Sequence, residues 1–421
     1  MAAPAPPPLV GDAPLGALAP LNVALIGGTG LGLSLAVGLA ATGHSVLCFE
    51  EDPGSLERAE FYFSRHDCPA KLRDRVQFSG DPADLGTCCV VLDLAMGSLA
   101  EKGALWAQVS PHLQAGATLA LPLAGRDLAQ IAAKAQQAGQ AVLGLLLATP
   151  MIAGGVAEIA LPTDTPAAVA QRMLALLQGA GLSPLVVGDS AAFASETLLL
   201  TYLAGLDRML MQGATPWEVD EAAEWFGYAM GPFEAQDLIG TDLAYHMRQR
   251  VAGQVPGGPV AAPIADRAVE EGRLGKKAGV GWYRYPGGGG KVIDPLVEDL
   301  CREEAHFARV PPRDWPQEAI VETLVLTQVL ALARVQAIGG AWGMPALALL
   351  AERVLGFPPG VGGPLGYAHA IGWPQVMAAL RARAGAFPRY LLSIAVVPMT
   401  TFSWGLLWLV TELGRYPWTI R

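Results

Sequence analysis

The stretch Asn22 to Asp52, NVALIGGTGLGLSLAVGLAATGHSVLCFEED, constrains this chain more than any other. An apolar run from Val23 to Ile26 enters a glycine cluster of Gly27, Gly28, Gly30 and Gly32. A helix rich in alanine and leucine follows and ends at Gly43, and a second apolar strand closes on Glu50. Strand, glycine turn, helix and strand make a βαβ half-unit. Such turns suit a dinucleotide: the glycines let backbone approach a pyrophosphate, the helix N-terminus faces its charge, and an acid ending the second strand holds the ribose hydroxyls. The usual spacing is G-x-G-x-x-G. Gly27 and Gly32 meet its outer positions, Thr29 takes the middle one, and Gly30 offers the turn in another register.

Downstream, the pattern continues in the same style. The charged segment Asp52 to Phe78 reads as helical, Cys88 to Leu94 as a buried strand, and Ser98 to Glu101 has capping-box spacing before a helix. Ala117 to Leu121, Gln140 to Leu147 and Val156 to Leu161 read as strands, with a helix from Asp127 to Ala138. Thr165-Pro166 supplies an N-cap and a first-turn proline for a helix ending near Gly179, and Leu185 to Val187 finishes the sheet. Strands alternating with helices of this length predict a doubly wound parallel sheet of Rossmann type.

From Ala191 strand signals disappear and apolar residues recur at helical spacing, through Met211 and again from Pro216 to Phe226, so an all-α domain is expected. A second helical stretch starts at Glu318, and its Gly356 to Pro364 segment echoes Gly227 to Pro232, which points to an internal duplication. The expected boundaries are a Pro/Ala-rich tail (1–20), the Rossmann domain (21–188), a first helical domain (189–290), a second helical repeat (291–389) and an apolar tail (390–421).

With 421 residues the chain can bury several cores. A formal charge of −10 and the lack of any basic run exclude nucleic acid as an expected partner. Five cysteines without a C-x-x-C pair make a poor disulfide framework and fit a reducing compartment such as the cytoplasm. The first 20 residues have neither a basic n-region nor a continuous apolar core, so they do not read as a secretory signal.

The helical part carries the specific motifs: Ala229-Met230-Gly231-Pro232-Phe233, Asp237-Leu238-Ile239-Gly240, Leu274 to Tyr285 (LGKKAGVGWYRY) and Gly356 to Pro364 (GFPPGVGGP). In this order, behind a Rossmann domain, they resemble the 3-hydroxyacyl-CoA dehydrogenase family, especially the dehydrogenase portion of multifunctional fatty-acid β-oxidation enzymes with its two C-terminal helical repeats. The resemblance implies NAD as cofactor, an acyl-CoA substrate oxidised at its C3 hydroxyl, and a homodimer. It implies a histidine base oriented by a glutamate.

The family's base lies in a Gly-Leu-His-Phe-Phe-Asn-Pro motif, and the matching stretch is Gly144-Leu145-Leu146-Leu147-Ala148-Thr149-Pro150. Leu146 stands at the histidine position, while Glu158 keeps the place of the orienting glutamate. The family's serine after the next strand falls on Ala124 or Gly125, and its asparagine at the start of the helical domain on Glu196. On the cofactor side Glu50, Asp93 and Lys102 align with an aspartate, a glutamate and a lysine of the family. A strand-end cap and a solvated helix charge are equally good readings of Asp93 and Lys102.

The uncharged run 390–411 is just long enough to span a hydrocarbon core, with Trp404, Trp408, Tyr416 and Trp418 suited to an interfacial belt and Arg381, Arg383 and Arg389 ahead of it. It is a candidate membrane contact. Trp408 to Trp418 is similar to a segment of cytochrome bd quinol oxidase subunit I whose glutamate, here Glu412, is a haem ligand; one helix cannot assemble that haem site.

Three readings follow. The first is an NAD(H)-binding family member, catalytically impaired at Leu146. The second is an active dehydrogenase with a rearranged base, through water on Glu158 or Glu196. The third is a non-catalytic, membrane-tethered interaction protein.

Overall fold

The computed structural model describes residues 18–27, 31–65, 69–95, 99–136, 139–148, 155–187, 193–251, 261–339, 342–360, 362–383, 385 and 387. The tail 390–421 lies outside them, and among the described residues no helix is long and apolar enough to cross a membrane. Two compact units part between Phe193 and Ala194.

The first unit runs β1 (Asn22–Ile26), α1 (Leu31–Ala41), β2 (Ser45–Phe49), α2 (Pro53–Arg65), α3 (Ala70–Arg73), β3 (Val76–Ser79), β4 (Val90–Asp93), α4 (Leu99–Val109), β5 (Thr118–Leu121), α5 (Gly125–Gln136), β6 (Ala141–Leu147), β7 (Val156–Ala160), α6 (Ala167–Gly179) and β8 (Ser183–Val187). Its sheet has the order β3-β2-β1-β4-β5-β6-β7-β8. The chain reverses its winding between β1 and β4, so the C-terminal ends of these strands border the crevice where an open α/β sheet binds ligands. Val23, Ala24 and Leu25 are wholly buried, which is why β1 reads as an unbroken apolar run. Helix α1 is apolar around most of its girth because it is covered on several sides; a Cβ at Gly38 would come within 3.0 Å of the Ala180 carbonyl beyond α6.

Several expectations need correction. The segment 52–78 is not all helix: Val76 opens β3, which pairs in parallel with β2, and its four residues, of which only Val76 is buried, were too short to show a period. The sheet is not wholly parallel. β7 runs antiparallel to β6 because the connection between them, 148–155, is too short for a crossover helix. Thr165 does not cap α6; Pro166 stands at the N-cap and Thr165 donates its N–H to Pro162 in the preceding turn. Ser98, expected to cap α4, lies outside the described residues.

The second unit holds α7 (Ala194–Met211), α8 (Pro216–Phe226), α9 (Pro232–Ile239), α10 (Thr241–Val251) and α11 (Pro263–Glu270), then β9 (Tyr283–Arg284) and β10 (Val292–Ile293), and finally α12 (Pro295–Phe307), α13 (Gln317–Gly339), α14 (Met344–Val354), α15 (Gly363–Ile371) and α16 (Trp373–Ala382). It is therefore not purely helical: β9 and β10 form a two-residue antiparallel ladder, below the length at which a sequence period is visible.

The duplication is structural. Helices α7 to α10 recur as α13 to α16, with Gly227-Tyr228 matched by Gly356-Phe357, and Gly240 by Gly372. Gly240 (φ 107°, ψ 121°) and Gly372 (φ 94°, ψ 132°) end the third helix of each repeat in the same conformation, one open to glycine. The repeats meet through α7 and α13, where a Cβ on Gly205 would lie 2.2 Å from the Thr327 Cγ2, and through Tyr228 and Phe357, whose rings stand edge to face at 5.9 Å.

A polar lock explains why the motifs of the first repeat occur together. Asp237, fully buried, accepts the backbone N–H groups of Trp282 and Tyr283 (both 2.9 Å) and the Tyr285 hydroxyl (3.0 Å). Asp220 accepts the N–H groups of Phe233 (2.8 Å) and Glu234 (2.9 Å) at the start of α9, and the Tyr283 hydroxyl (2.9 Å). A Cβ at Gly281 would stand 2.0 Å from Asp237 Oδ1, and one at Gly231 2.2 Å from the Asp220 carboxyl carbon. Burial pushes Asp220 up to about 7 and Asp237 up to about 6, with the donated N–H groups pulling the other way.

Candidate cofactor and catalytic site

The glycine turn opens where β1 ends. Gly27 has φ 92°, and a Cβ there would lie 3.0 Å from the Ala95 nitrogen beyond β4. At Gly32 a Cβ would fall 2.1 Å from the Gly27 carbonyl oxygen, so only glycine lets α1 start so close to the turn. These are the backbone demands of a pyrophosphate turn in front of a helix N-terminus. Thr29 and Gly30 lie outside the described residues. Glu50 directly follows β2, half-buried, with its N–H on the Ser79 carbonyl (3.1 Å), at the strand end where a ribose is read.

Asp93 and Lys102 are brought together. Asp93 ends β4 and Lys102 lies in α4; the ammonium nitrogen is 2.8 and 2.7 Å from the two carboxylate oxygens, at exposures of 0% for Asp93 and 2% for Lys102. Asp93 Oδ1 also accepts the Ala95 N–H at 3.0 Å. Burial pushes the Asp93 carboxyl up, and Lys102 opposes it. Sequence reasoning missed this pairing, since nine residues on two different elements carry no local signal.

The base position is fixed by ladder register. Leu146 in β6 stands directly across from Glu158 in β7, in an antiparallel pair. Leu145 and Leu147 face the core shared with α1, while Leu146 is half-buried on the other face and Glu158 is fully buried. Gly144 shares that face: its Cβ would meet the Leu123 carbonyl at 2.3 Å, so the connection from β5 to α5 runs beside it. That connection, Pro122-Leu123-Ala124-Gly125, offers no side-chain hydroxyl. Among the described residues of this unit the histidines are His44 and His112, which precede β2 and β5 and so sit at the opposite edge of the sheet. His44 accepts the Leu21 N–H through Nδ1 (3.1 Å), and burial, with Arg75 nearby, holds its pKa below the usual value. Glu196 is buried in the first turn of α7, in the second unit.

Fold and site together define a dinucleotide-binding Rossmann unit followed by a duplicated helical unit. The chain belongs to the 3-hydroxyacyl-CoA dehydrogenase family: residues 22–190 match its NAD binding domain and residues 193–285 its C-terminal domain. NAD is the cofactor of this domain, and the glycine turn, the start of α1 and Glu50 fit it.

The chain is 25% identical to the peroxisomal bifunctional enzyme of Cavia porcellus over 384 residues, covering 86% of this chain and 53% of that one. With the peroxisomal bifunctional enzyme of Danio rerio it shares 26% over 388 residues, 87% of this chain and 54% of the other. It thus spans about half the length of the curated relatives it matches. The crystal structure of 3-hydroxybutyryl-CoA dehydrogenase from Escherichia coli shares the fold, with a TM-score of 0.65 and 20% identity over 94% of this chain and 98% of that one.

Proposed function

We propose that this chain binds NAD(H) and an acyl-CoA ligand and is impaired in ordinary 3-hydroxyacyl-CoA oxidation. The supporting observation is the register that pairs Leu146 with Glu158, the cross-strand relation a base and its orienting acid require. Bound NAD would supply the hydride acceptor. Gly27, Gly32 and the N-terminus of α1 would hold its pyrophosphate, and Glu50 its ribose hydroxyls. Oxidising the alcohol also demands that a proton leave the hydroxyl as hydride departs. Leu146 has no atom to take it, and no environment can give it one. Losing a positioned general base costs about 10²–10⁴ in rate. Glu158 then has no imidazole to orient, and the 122–125 connection adds no hydroxyl to hold the substrate oxygen.

The test is to titrate the protein with NADH by fluorescence, then add acetoacetyl-CoA and follow absorbance at the NADH band. Binding without oxidation supports the reading. Rapid oxidation overturns the impairment and favours a rearranged base. No binding reduces the glycine turn to a structural corner and favours an interaction protein. Light scattering of the same preparation tests the homodimer, and flotation of the full chain with liposomes tests membrane contact through 390–421.

A further inference from the structure

Among the described residues Asp93 and Lys102 are the charged pair buried deepest at the ligand edge of the sheet, and the geometry around them leads to the glycine turn. The carboxylate takes both its strong bonds from Lys102 and a third from the Ala95 N–H. Leu94 N–H donates to the Ile26 carbonyl at 2.9 Å, and Ala95 N is the atom a Cβ on Gly27 would meet at 3.0 Å. The Leu94 side chain reaches the space beside Gly32. The backbone 93–95 therefore forms the wall beside the turn at Gly27, close enough that only a glycine leaves it room, and the ion pair fixes that wall. With both charges turned on each other, neither is presented to a ligand.

We propose that Asp93 and Lys102 are positioning residues for the dinucleotide: they act through Ala95 on the glycine turn, hence on the pyrophosphate, and not by touching the nicotinamide half. This rests on the NAD assignment of the domain. If Lys102 is removed, Asp93 is left buried and uncompensated: it takes up a proton or turns toward solvent, and its hold on the Ala95 N–H, and with it the 93–95 backbone, is loosened. The turn at Gly27 lies directly beside Ala95, so that shift reaches it. ADP, which carries the pyrophosphate but no nicotinamide, then loses affinity by the same factor as NADH.

The experiment compares NADH and ADP affinities, by fluorescence and calorimetry, in the wild type, in Lys102→Met and in the double variant Asp93→Asn/Lys102→Gln, with thermal unfolding measured alongside. The double variant has no charge but keeps an acceptor for Ala95 N–H, so it guards against a single variant that fails to fold. Lys102→Met is expected to weaken both ligands about tenfold or more and equally, and the neutral pair to bind both within about threefold of wild type. A loss confined to NADH, or a neutral pair that is folded yet binds as poorly as Lys102→Met, overturns the proposal while leaving the NAD assignment intact. A wild type that binds neither ligand overturns both.

Discussion

Replacing Leu146 by histidine places a proton acceptor at a position whose antiparallel cross-strand neighbour is the family's orienting acid, Glu158. Directly opposed residues in an antiparallel pair have Cβ atoms about 4.5–5.5 Å apart, so one imidazole nitrogen comes within hydrogen-bonding reach of Glu158 while the other faces away. A positioned base is worth about 10²–10⁴ in rate, or about 2.7–5.5 kcal/mol of barrier. The full amount is not expected, because the 122–125 connection still lacks a hydroxyl for the substrate oxygen. A gain above about tenfold, about 1.4 kcal/mol, in NADH-dependent reduction of acetoacetyl-CoA is the expected outcome. The double variant Leu146→His/Glu158→Gln should lose part of it, since the carboxylate that orients the ring and stabilises its charged form is gone. Leu146→Gln, polar but unable to act as a base, should gain nothing. A Leu146→His protein that is folded, binds NADH and shows no gain would refute the reasoning.

Further outcomes follow from the packing. Gly205→Ala drives a methyl into Thr327 and should cost about 1–3 kcal/mol in urea unfolding, with relief in Gly205→Ala/Thr327→Ala; an unchanged midpoint contradicts the close α7–α13 approach. Because burial holds Asp220 and Asp237 at about 7 and about 6, the folded chain keeps protons that the unfolded chain has released. Their contribution to stability is thus full below about pH 4 and is lost as pH rises through about 6 to 7, and Asp220→Asn should flatten the fall in unfolding midpoint across that window. Among the described residues Arg309, just past α12, is the non-glycine residue with positive φ (53°), so Arg309→Gly should raise stability by about 0.5–1 kcal/mol in chemical denaturation.

How much could be read in advance depended on how local the cause was. The turn at Gly27 and Gly32, the strand ending at Glu50 and the change to helices after β8 each follow from residues adjacent in sequence, and all were legible. The Leu146–Glu158 relation was legible only through the family motif, because a ladder register between strands joined by residues 148–155 has no local period. β3 and the β9–β10 ladder are too short to show alternation, and the antiparallel turn of β7 depends on the length of a connection more than on its composition. The Asp93–Lys102 pair was invisible as a pair: each charge read singly, as a cofactor-side residue or as a strand-end cap and a solvated helix charge, and only the fold shows both withdrawn from water. The Asp220 and Asp237 lock lay in plain sight as glycine-rich motifs without a stated reason. Their glycines exist to admit a carboxylate, a demand that appears only when α8, α9 and the Trp282–Tyr285 segment are brought together.

The two helical repeats press Tyr228 on Phe357 and Gly205 on Thr327 within one polypeptide. Two separate chains would have to find each other to make such a contact, and dilution would undo it. Carried on a single chain, the pairing is governed by an effective concentration set by the chain that joins α10 to α13, whatever the amount of protein present. The cohesion of the two repeats with each other is thus independent of expression level.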